Sequence, residues 1–100
     1  MNIPQQVKEK VKAIDSQADV ILFGSRARGD ARADSDWDFL ILVEKPASSE
    51  KRDKIRDTLY EVELEVEQLI SSIVRDKKRW EMLELTHLYQ NIQEDGIRIT

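Results

Sequence analysis

Five consecutive apolar residues, Phe39-Leu40-Ile41-Leu42-Val43, constrain what this chain can fold into more than any other feature. Side chains alternate across a strand, so an unbroken apolar run leaves no face for water. The run is far short of the ~18 residues that suggest a membrane span. It reads instead as a central strand, Trp37 to Glu44, covered on both faces and halted by Lys45-Pro46. A second run, Val20 to Phe23, is ended by Gly24 and is too short for a helix, so it reads as another buried strand. A chain of 100 residues buries roughly 60–70% of its unfolded surface in one modest core. Both strands are therefore expected in a single domain spanning residues 1–100.

Helices must supply the cover. Ile3, Val7, Val11 and Ile14 share one helical face, with Pro4 tolerated in the first turn. Ile55, Leu59, Val62, Val66 and Leu69 form a second apolar stripe, with Ser48 and Ser49 as candidate N-caps and charged residues facing water. Leu69 to Val74 is β-branched enough for a third strand, although no glycine or proline marks where the preceding helix stops. Lys77 to Leu85 and Thr86 to Asp95 read as short helices, the second ended by Gly96, and Ile97-Arg98-Ile99 as an edge strand. The order predicts a mixed α/β (α+β) domain with a mixed sheet of three to four strands flanked by helices.

Charge and composition then narrow the function. A formal charge of −4 argues against coating nucleic acid by phosphate neutralisation, so direct nucleic-acid binding is not expected and any anion site must be local. Cysteine is absent, which excludes disulfides and thiolate metal sites and suits the cytoplasm. The N-terminus lacks the basic-then-apolar pattern of a signal peptide. His87 is the only histidine, too few for a histidine metal cluster or a Ser-His-Asp site, and reads as structural or surface. Trp37 is expected to point into the core, and Tyr60, Trp80 and Tyr89 to pack likewise, with Trp80 or Tyr89 alternatively at a partner interface.

The loop between the two strands, Gly24 to Asp38, gathers the residue types that chemistry needs. Gly24-Ser25 follows a strand and precedes a segment able to start a short helix. Glycine admits close backbone approach, and free N–H groups with the Ser25 hydroxyl favour an anion such as phosphate. The same dipeptide is also an ordinary turn, and no Gly-Lys-Ser/Thr follows to make a Walker A loop. Asp36 and Asp38, two apart at the head of a strand, project from one face and offer hard oxygens to Mg²⁺. They can equally be a polar strand start. A hairpin-like return would bring Gly24-Ser25 beside the aspartates, so that a triphosphate on the turn meets metals held by the pair. Asp30 and Asp34 are then the spacer.

Gly24-Ser25-Arg26-Ala27-Arg28-Gly29, with Ser35-Asp36-Trp37-Asp38 and an apolar strand behind it, resembles the signature of the DNA polymerase beta nucleotidyltransferase superfamily. The length, the element order and the terminal "LYQNIQEDGIRI" are similar to its minimal nucleotidyltransferases (MNT), which occur as antitoxins in toxin–antitoxin pairs. The resemblance implies nucleotide-phosphate contacts at Gly24, Ser25 and Arg26, with Arg28 near phosphate, and two Mg²⁺ ions on Asp36 and Asp38. It implies transfer of a nucleoside monophosphate, AMP from ATP, to a hydroxyl acceptor such as a HEPN-type partner protein. The family's third carboxylate has no counterpart in Leu69–Val74; Glu65 and Glu67, just before it, are the substitutes in reach. A non-catalytic antitoxin that neutralises its partner by contact is the alternative.

Overall fold

The computed structural model describes residues 2–44 and 48–99, so the expected stop at Lys45-Pro46 lies outside the described residues. The chain runs α1 (Ile3–Ile14), β1 (Asp19–Phe23), α2 (Ser25–Arg28), β2 (Trp37–Val43), α3 (Ser49–Val66), β3 (Ile70–Asp76), α4 (Lys77–Glu81), α5 (His87–Asp95) and β4 (Ile97–Arg98). The four strands form one mixed sheet in the order β3-β2-β1-β4. β2 pairs antiparallel with β1 and parallel with β3, and β4 adds antiparallel to the far side of β1.

The apolar run sits where its pattern demands. Phe39 to Val43 are all buried, and their alternation divides the core in two. Phe39, Ile41 and Val43 pack with Val20, Leu22 and Val74 under Val7 and Val11 of α1 and Ile55 and Leu59 of α3. Leu40 and Leu42 face the other way, onto Trp80 of α4 and Ile92 of α5. Burying each large aliphatic side chain contributes about 1.5–3 kcal/mol. The second face has fewer buried residues and shorter helices, so its end beside the start of β2 is left open to water.

Three expectations from the sequence are corrected. α3 ends at Val66, and Leu69 is exposed instead of extending the apolar stripe. The helix expected over Lys77 to Leu85 stops at Glu81, because Met82 to Leu85 form turns with little apolar burial. Tyr60 is exposed, whereas Trp80 is buried with its ring centroid 5.1 Å from that of Tyr89.

The unmarked end of α3 has a physical cause. Glu67 caps it in the left-handed conformation, at φ 56°, and donates its N–H to the Glu63 carbonyl. The Glu63 carboxylate accepts the N–H of Ile70 at 2.8 Å, which starts β3. Gly96 ends α5 with an ordinary extended backbone; a Cβ there would collide with the Ile92 carbonyl and Ile21.

At the end of β2 away from Asp36, Asp15 binds the fold together. Its carboxylate accepts the N–H groups of Gln17 and Glu44 at 3.0 and 3.1 Å and the Lys51 ammonium at 2.8 Å. Burial resists its ionisation, but Lys51 and the two N–H donors outweigh that and hold the carboxyl below the usual range. Nearby, Lys77 bridges Glu44 at 2.9 Å and the Gln17 carbonyl at 2.8 Å.

Two outcomes follow for stability. Glu67→Gly should raise it by about 1 kcal/mol in denaturant unfolding, since glycine adopts the left-handed cap without strain. For Asp15, a lowered folded pKa means stability that is complete above the unfolded value of about 3.9 and lost as pH falls through the folded one. Asp15→Asn should therefore cost about 1–3 kcal/mol at neutral pH, with the gap to wild type narrowing as unfolding is measured below about pH 4.

Candidate active site

Strand register assembles the site. β1 and β2 pair with Phe23 opposite Asp38, which places Gly24 directly against the Asp38 side chain. Gly24 has φ 75° and ψ −159°, a region that only glycine occupies without strain. A Cβ at Gly24 would also collide with Asp38 Oδ2. The position of the carboxylate thus depends on the glycine, since a Cβ there would push it aside.

From Gly24 the chain enters α2, whose first turn closes when Ala27 and Arg28 donate to the Gly24 carbonyl at 3.0 and 3.1 Å. The N–H groups of Ser25 and Arg26 donate to no backbone carbonyl among the described residues, and the half-buried Ser25 hydroxyl sits with them. Gly29, at φ 84°, stops the helix, with its own N–H and that of Asp30 both on the Ser25 carbonyl.

Arg26 turns inward. Its Nη2 donates to the carbonyls of Ala33 and Ser35 at 3.2 and 3.0 Å, and the guanidinium lies 4.5 Å from the centroid of Trp37. Trp37 packs against the α1–α3 side of the core and donates its indole N–H to Gln68 at 2.8 Å. Arg26 therefore shapes the loop that leads into Asp36. Arg28 is exposed, pairs with Asp30 at 3.3 Å, and lies close enough to favour the charged form of Asp38.

Asp38 projects from the sheet face opposite Trp37, and Asp36, just before β2, lies near enough for its charge to act on Asp38. Burial, and then the negative charge of Asp36, push the Asp38 carboxyl above its usual range, with Arg28 opposing. A carboxylate pair crowded by its own repulsion fits a divalent cation with hard-oxygen preference. Among the described residues no third His, Cys, Asp or Glu joins the pair. Glu65 and Glu67 are exposed at the end of α3, and Glu67 is occupied as its cap. The parallel register instead puts Ser71 beside Asp38 on the same face. The chain's own residues would thus hold part of a Mg²⁺ shell, leaving positions for water and phosphate oxygens.

Beside Gly24 a cleft of about 210 Å³ opens between Phe23, Arg28 and the face of α5 carrying Leu88, Asn91 and Asp95. These α5 positions were not singled out by their chemistry, although their spacing along one helical face is visible in the sequence. His87 lies exposed in the first turn of α5.

This geometry, a glycine turn packed on a carboxylate at the ends of the two central strands, agrees with the family comparison. The profile of the nucleotidyltransferase domain matches residues 3–99. The chain belongs to that family. A protein of Methanocaldococcus jannaschii, named "Putative protein adenylyltransferase MJ0141", is 39% identical over 82 residues, covering 77% of this chain and 83% of the relative. A solved structure described as a toxin-antitoxin with AMP-PNP superposes with a TM-score of 0.69 at 14% identity, over 97% of this chain and 72% of that one, and so shares the fold. Among the described residues no helix is long and apolar enough to cross a membrane.

The two loop glycines should differ in unfolding experiments. Gly24→Ala meets both backbone strain and the Asp38 carboxylate and should lose about 2–3 kcal/mol, whereas Gly29→Ala meets open space and should lose about 1 kcal/mol.

Proposed function

We propose that this protein is a single minimal nucleotidyltransferase domain of the antitoxin (MNT) type, working in the cytoplasm, that moves AMP from ATP to a hydroxyl on a HEPN-type partner protein. The observation that carries the reading is the apposition of Gly24 to Asp38, which sets a phosphate-accepting turn against a carboxylate pair. The name of the Methanocaldococcus jannaschii relative supports a protein acceptor, and the AMP-PNP complex with the same fold supports an adenine nucleotide.

In this reading the N–H groups of Ser25 and Arg26 and the Ser25 hydroxyl grip the triphosphate, while Arg28 faces its charge from the cleft. Arg26 contributes through its backbone and by holding the loop. Asp36 and Asp38 would hold Mg²⁺, two ions in this reading, which would supply charge neutralisation to the triphosphate. The acceptor oxygen forms a bond to the α-phosphorus, the bond from that phosphorus to the bridging oxygen breaks, and pyrophosphate leaves. The acceptor proton passes to solvent. Positioning and electrostatics carry the reaction, since the chain has little covalent chemistry to perform.

Ser71 beside Asp38 favours a second reading, in which the site binds nucleotide or metal without turnover and the protein neutralises its partner by contact. Incubating the protein with ATP, Mg²⁺ and the product of the adjacent reading frame separates the two. Mass spectrometry should find AMP on the partner, and Asp36→Asn with Asp38→Asn should slow its addition at least about a hundredfold. An unmodified partner whose toxicity is nonetheless suppressed would replace the first reading with the second.

A further inference from the structure

Away from the Gly24 cleft, Arg52 of α3, Arg75 of β3 and Arg79 of α4 line one cavity of about 420 Å³ together with Met82 and Leu83. The ion pairs of the described residues leave all three arginines out. Arg75 spends one N–H on the Val74 carbonyl at 2.9 Å, and Arg52 Nε is buried without a partner among the described residues. In a chain of formal charge −4, three uncompensated guanidinium groups converging from three elements make a local field for an anion.

The apolar part of the surface tells which kind. Met82 and Leu85 are 81% and 85% exposed, and Leu88, 39% exposed, also lines the cleft beside Gly24. The segment 82–88 therefore links the arginine cavity to the candidate active site as a ridge on which exposed Met82, Leu85 and Leu88 alternate with Glu84, Thr86 and His87. Arginine and methionine are enriched in protein interfaces, where lysine is depleted, and this cavity has no lysine. Single-stranded nucleic acid would want successive aromatic platforms for its bases, and the cavity lining has none, while the segment 82–88 carries a single ring, His87. Glu81 and Glu84, on the same stretch, do not line the cavity.

We propose that this surface docks an acidic segment bearing aliphatic side chains on the acceptor protein, carboxylates entering the arginine cavity and apolar residues covering the ridge. Docking there leads the acceptor toward the cleft at Gly24. The proposal rests on the reading of the acceptor as a protein. A small anion would fill the cavity and leave the ridge bare; an extended polypeptide covers both.

The test uses the full chain without ATP, carrying Asp36→Asn and Asp38→Asn, so that loss of transfer cannot mask docking. The probes are a synthetic peptide of alternating glutamate and leucine, a glutamate–serine peptide of equal charge, inorganic phosphate and a single-stranded oligonucleotide. The Arg Nε–Hε and Met82 methyl resonances are followed by NMR. The glutamate–leucine peptide should shift both sets and bind at least about tenfold more tightly than the glutamate–serine peptide, since each buried leucine adds apolar area. Arg79→Glu, on an exposed side chain that the fold does not need, should weaken it at least about tenfold, as should Arg75→Gln. Unmoved resonances, or tighter binding by phosphate or the oligonucleotide, would overturn the proposal. In the transfer assay, AMP addition that persists undiminished in Arg79→Glu would sink docking alone, whereas intact docking with no transfer would sink only the enzymatic reading.

Discussion

The contact between Gly24 and the Asp38 carboxylate is the constraint on which the site depends. Antiparallel pairing of β1 with β2 sets Phe23 opposite Asp38, so a side chain on the residue that leaves β1 would displace the Asp38 carboxylate. The same residue must turn the chain at positive φ into α2. Sterics and backbone conformation thus ask for glycine independently, and both requests come from one strand register. Moving that register by one residue would flip Asp38 into the α1–α3 core and Trp37 out of it.

Around this contact the charges are divided between the two ends of β2. At one end Asp15, Lys51, Lys77 and Glu44 satisfy one another and join α1, α3 and the ends of β2 and β3. At the other, Asp36 and Asp38 repel, and only Arg28 eases the raised Asp38 carboxyl. The first cluster is electrostatically closed and stabilises the fold; the second is left open and is suited to an added cation. Arg26 lies between the two kinds: its Nη2 is spent on the Ala33 and Ser35 carbonyls and its face lies over the Trp37 ring, while its Nε is buried without a partner among the described residues.

Much of the fold was legible because burial leaves periodic traces. The stripe of α1 and the alternation-free run of β2 needed no more than the spacing of apolar residues, and both appear where the sequence puts them. The end of α3 was illegible because a glutamate takes the conformation that usually advertises itself as glycine. Leu69 and Leu85 misled for the opposite reason: Leu69 keeps the phase of the α3 stripe and Leu85 ends an expected helix, yet no packed element covers them, and they stay exposed.

By itself, the sequence determined the two-sided burial of the central strand, the glycine turn and the spacing of Asp36 and Asp38 at the head of β2, because each follows from local spacing and stereochemistry. Only the tertiary structure decided what stands next to them. Strand register chose Gly24 and Ser71 as the neighbours of Asp38, and packing brought α5 over the cleft. Folding also turned Arg26 toward its own loop and gathered Arg52, Arg75 and Arg79 from three separate elements. Such neighbours lie far apart along the chain, and their meeting depends on long-range pairing that no local pattern encodes.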